Sequence, residues 1–80
     1  MTKNEMQILV LLLTDLKEQE TEKGQSCERD IAALSTDHPR YNGIKGWAIR
    51  HLKCAEASES VIEILNYYIL NHIYAEREIR

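Results

Sequence analysis

Two apolar runs give this chain more hydrophobic helix surface than a protein of its size can bury by itself. Ile8 to Leu13 is six consecutive aliphatic residues, and Val61 to Tyr74 holds ten apolar residues in fourteen positions. A chain of 80 residues has one small core, in which each helix buries a single stripe. Segments apolar all round predict a second buried face, against another copy of the chain or a partner. The competing arrangement is a central C-terminal helix wrapped by the other helices of the same chain.

The breakers and the helix signals define the expected elements. One Pro and three Gly, among runs rich in Leu, Glu, Lys and Ile, predict an all-α chain. A first helix is expected over 4–19, with Asn4 as N-cap and Met6, Leu9, Leu13 and Leu16 as its core stripe. Ile8, Leu11 and Leu12 are surplus to that stripe. The charged stretch 18–25, ending near Gly24, reads as a linker. A short helix follows over 26–34, then an irregular loop over 35–43 containing Pro39. A third helix is expected over 44–55. A fourth begins near Ser58 or Ser60, where Ser60 and Glu63 fit a capping box, and runs to about Glu78. Residues 77–80 form a frayed tail. The expected fold is a single domain over 1–80, a compact bundle of about four helices, two long and two short, dimeric through the C-terminal helix.

That helix carries apolar residues around most of its circumference, with Val61, Leu65, Tyr68, His72 and Ile79 near one line. Ile62, Tyr67, Leu70, Ile73 and Tyr74 are the candidate dimer interface, because Tyr combines a large apolar ring with a polar tip suited to interfaces. Closed two-fold dimers are the commonest oligomers.

Charge is segregated along the chain. The net charge is −3, which argues against a dedicated nucleic-acid binder. Residues 38–55, however, contain four bases and no acid, a net +4. The preceding 37 residues hold four bases against eight acids, and the last 25 hold two against five. Arg40, Tyr41, Lys45, Ile49, Arg50 and Lys53 are the candidate partner surface, with Trp47 beside them, and could meet phosphate or an acidic protein patch. The helix following Asp30, the connector and the helix after Ile44 resemble a helix-turn-helix over about residues 28–53. That resemblance implies DNA reading by Lys45, Ile49, Arg50 and Lys53. The connector is longer than the usual turn, and no wing follows.

Chemistry-bearing clusters are sparse. Cys27, His38, His51 and Cys54 are the candidate metal donors, but they lack the paired Cys or His spacing of a zinc site. Cysteine is more often a small core residue, and His51 falls on the apolar side of its helix. No phosphate loop, nucleophile elbow or His-Glu-x-x-His motif is present. The expectation is a non-enzymatic interaction protein without a cofactor, acting as an inhibitor, adaptor or regulator on itself and a larger protein. A dimeric DNA-binding regulator is the alternative. With two cysteines, no cleavable leader pattern and no membrane-length apolar run, the expected location is the cytoplasm.

Overall fold

Thr2 and Glu5 start the first helix with a reciprocal capping box. The Glu5 N–H donates to Thr2 Oγ1 (3.2 Å), and the Thr2 N–H donates to Glu5 Oε1 (2.8 Å). These bonds satisfy two amides that the first turn would leave unpaired. From there the chain does not break where Gly24 and the charged stretch suggest. In this computed structural model, which describes residues 1–75, helix α1 runs unbroken over Lys3–Ala32 and helix α2 over Tyr41–Leu70, 30 residues each. They form an antiparallel hairpin with Cα extents of 57 × 23 × 14 Å.

The bundle of two long and two short helices is therefore corrected to two long helices. The expected first and second helices are one, and so are the third and fourth. Ser58 and Ser60 do not cap a new helix. Their hydroxyls donate backwards to the carbonyls of Cys54 (2.9 Å) and Glu56 (3.2 Å), a bond that lets serine sit inside a helix. Gly24 sits where the arms approach closely. A Cβ built on it would lie 2.6 Å from Leu52 Cγ and Cδ2. The missing side chain thus serves helix pairing rather than chain reversal.

Reversal occurs in the connector 33–40, which overlaps the loop expected over 35–43 but starts two residues earlier and ends three residues earlier. Ser35 organises it, accepting from the Asp37 N–H at its hydroxyl (3.3 Å) and from the His38 N–H at its carbonyl (2.9 Å). His38 in turn accepts from Arg40 and Tyr41. α2 begins at Tyr41 without a side-chain cap.

The seam has a heptad spacing. Met6, Val10, Leu13, Lys17, Glu20, Gly24, Cys27, Ile31 and Leu34 on the first arm are buried or half-buried. So are Tyr41, Ile44, Ala48, His51, Ala55, Ser58, Ile62, Leu65 and Ile69 on the second. Alternating steps of three and four residues are the signature of two helices packed along their length. The seam is apolar towards both ends and polar in the middle. There Lys17 pairs with Glu59, and His51 Nδ1 with Glu20.

α2 ends eight residues before the expected Glu78. His72 adopts a left-handed conformation (φ 57). The Ile73 N–H then reaches the Tyr68 carbonyl (2.8 Å) and the His72 N–H the Ile69 carbonyl (3.2 Å). This is a Schellman stop with histidine in the place usually taken by glycine. The chain then returns to its own start, where the Ala75 N–H donates to the Met1 carbonyl (2.9 Å). Ile79 and the tail expected over 77–80 lie outside the described residues.

Candidate functional surfaces

The hairpin offers two chemically distinct surfaces, one at each end. Near the connector, the basic side chains follow from where α2 begins. Its seam takes Tyr41, Ile44, Ala48 and His51 inward, so Lys45, Ile49, Arg50 and Lys53 turn to solvent. Lys45, Ile49 and Lys53 are spaced four apart and share one line along the helix. Arg40 is exposed just before the helix, whereas Tyr41 is half-buried in the seam. Trp47 does not join Ile44 and Ala48 in the seam. It is 53% exposed, stacked on His51 at 5.7 Å between centroids. The Arg50 guanidinium lies over the indole at 4.9 Å, a cation–π arrangement. The stretch of α1 that holds Glu20, the partner of His51, carries Glu18, Glu20, Glu22, Glu28 and Asp30 beside Lys23 and Arg29.

The helix-turn-helix geometry does not form. That motif needs two helices crossing at about 90–120°, and residues 28–53 instead span the antiparallel turn of the hairpin. The four soft donors are dispersed. Cys27 is half-buried in the α1 seam and Cys54 exposed on α2, both with free thiols. His38 lies in the connector and His51 is held by Glu20. Among the described residues no three His, Cys, Asp or Glu side chains converge to hold a metal.

The open end, where Met1 and Ala75 meet, carries the surplus apolar surface. Ile8 (48%), Leu11 (72%) and Leu12 (61%) are exposed on α1, as are Ile64 (52%), Tyr67 (58%) and Leu70 (78%) on α2. Ile73 is exposed and Tyr74 half-buried, its hydroxyl hydrogen-bonded to His72 Nδ1 (2.8 Å). Ile62 is not free for a dimer interface. It is 8% exposed and sits in the seam, packed against the other arm. Five residues assigned to one interface thus divide between the core, the back of α2 and the segment after it.

No protein-family model, curated protein or solved structure matches the chain. Its function is therefore argued from these surfaces. No helix among the described residues is long and apolar enough to cross a membrane.

The features that sequence reasoning missed are the polar seam residues, Lys17, Glu20, Gly24 and Ser58. Their signal was present as the uninterrupted three-four spacing. A search for apolar residues alone passes over it.

Proposed function

We propose that this is a small non-enzymatic interaction protein, an adaptor, inhibitor or regulator that works by covering surfaces of other protein chains. The supporting observation is the exposure of large aliphatic and aromatic side chains on both arms at the open end. Isolated exposed hydrophobes are ordinary, but contiguous ones on two neighbouring helices mark a binding surface. The connector end supplies a second contact of different character. Lys45, Arg50 and Lys53, with the Trp47–Arg50 stack, suit an acidic protein patch. Two free thiols suit a reducing compartment, and we place the protein in the cytoplasm.

The test exploits Trp47, the single tryptophan, as a reporter within the basic arm. Labelled mixed-sequence duplex DNA is titrated at low salt, following Trp47 fluorescence and DNA anisotropy. The expected result is no binding. Binding that weakens log-linearly with salt overturns the reading in favour of a nucleic-acid partner. In parallel, a photo-crosslinking residue at position 49 should capture one protein from the source extract, and lose it in the K45E/K53E variant. Capture that survives both charge reversals removes the basic arm from the partner surface.

A further inference from the structure

We propose that residues 76–80, which follow Ala75, dock in a groove along α1, with the Ile79 side chain seated against Ile8 and Leu11. The proposal stands independently of the partner reading above. It divides the open end into a groove that the chain covers itself and an apolar remainder open to other proteins.

The groove is built from both arms. Asn4, Gln7, Ile8 and Leu11 line it from α1, and Asn66 and Ile69 from α2. It is continuous with a hollow beside Thr2, Lys3, Tyr74 and Ala75, because Asn4 and Gln7 line both. The end next to Ala75 is the more polar, and the far end, at Ile8 and Leu11, the more apolar. The chain enters this trough with a set direction. The Ala75 N–H donates to the Met1 carbonyl (2.9 Å), and the bridge it forms with Thr2 is parallel. Continued on that course, the residues after Ala75 run alongside α1 from its N-cap towards Leu11.

Reach and chemistry both fit. Four extended residues carry the chain about 13 Å from Ala75 to Ile79. Thr2 to Leu11 is about 14 Å along α1. Alternate residues of an extended segment face the same way, and Ala75 is half-buried. Arg77 and Ile79 therefore turn towards α1. Arg77 falls beside the amide side chains of Asn4 and Gln7, whose oxygens accept hydrogen bonds, and Ile79 falls beside Ile8 and Leu11. Ile79 is the single apolar residue in 76–80. Leu11, 72% exposed, is the side chain with most to gain from cover. Charge favours the same direction. Lys3 stands at the start of the trough, and Asp15, one turn beyond Leu11, at its far end. A parallel course brings Glu76 level with Lys3 and Arg80 towards Asp15, whereas the reverse course sets Arg80 beside Lys3.

Nuclear magnetic resonance of the full chain, labelled at Ile and Leu methyls, is the test. Nuclear Overhauser contacts are expected from the Ile79 methyls to Ile8 and Leu11. I79D should abolish them, keep the helical circular dichroism, and shift amides of 4–11, Asn66 and Ile69 while leaving the connector end unmoved. L11A, a change outside the seam, should weaken the Ile79–Ile8 contact. Ile79 without contacts to α1 overturns the docking. Contacts to Leu12 or Ile64 in place of Ile8 and Leu11 overturn the choice of groove. A mixture of differently labelled chains separates the remaining occupant. Ile79 contacts that cross between labels show that the tail of a second copy fills the groove, which overturns the docking within one chain. None of these outcomes bears on the DNA titration or the position-49 crosslink, so the two readings fail separately.

Discussion

Three glycines in similar helical sequence contexts do different physical work. Gly24 is buried, and a Cβ there would meet Leu52 at 2.6 Å, whereas Gly43 and Gly46 have nothing within 4 Å of theirs. The same substitution should therefore have opposite signs. Gly46→Ala is expected to raise stability by about 1 kcal/mol through helix propensity. Gly24→Ala gains that propensity but forces Leu52 or the helix axis to move, an overpacking cost of about 1–3 kcal/mol, and should destabilise. Urea denaturation of the two variants checks the contrast. Adding Leu52→Ala should recover part of the loss at Gly24 but none elsewhere. A Gly24→Ala chain as stable as Gly46→Ala would mean that the arms do not approach closely at that level.

At the scale of the element, the start of α1 and the middle of the seam are the informative places. The Thr2 backbone N–H, and then the Thr2 hydroxyl, hold the Glu5 carboxyl below its ordinary pKa. A carboxylate whose pKa is lowered on folding stabilises fully above its unfolded pKa. It loses that contribution as pH falls through the lowered folded value. Helical signal should decline along an acid limb below the ordinary carboxylate range, and Glu5→Gln should flatten that limb. Thr2→Ala removes the other half of the box and should cost about 1 kcal/mol. In the seam, Glu20 and His51 keep only 14% and 20% of their side chains exposed. Removing one partner strands the other, so Glu20→Leu and His51→Leu should each destabilise by about 1–3 kcal/mol. Replacing both should cost less than the sum, with a coupling of about 1 kcal/mol in a double-mutant cycle. Additive losses would show that the pair is not formed in solution.

For the whole molecule, the geometry is thin. Among the described residues no large side chain is fully enclosed, and the buried set is confined to Met6, Gly24, Ala48, Ala55, Ser58, Ile62 and Leu65. Two helices packed along one seam leave the back of each in water. Such a fold is marginal without an added layer. If a second copy supplies that layer, the melting temperature rises by a few degrees for each tenfold increase in protein concentration, as mass action requires. A melting temperature independent of concentration would show that the single hairpin carries its own stability.

The residues themselves determined that this chain is helical, that its apolar surface exceeds one stripe per helix, and that charge is divided along it. They also located the reversal between Leu34 and Ile44, because Ser35, Asp37 and Pro39 disfavour continuation there. The polar outer line of Lys45, Ile49, Arg50 and Lys53 was readable from helical periodicity alone. The number of helices was not. Gly24 and the serines near 58 are breakers by propensity, and only the opposing arm decides otherwise. Leu52 fills the space that Gly24 leaves open, and the packed seam offsets the local preference of Ser58. The same cause moved Ile62 from surface to core. A helix's apolar positions are fixed by sequence, but which of them meets protein and which meets water depends on where the second helix lies.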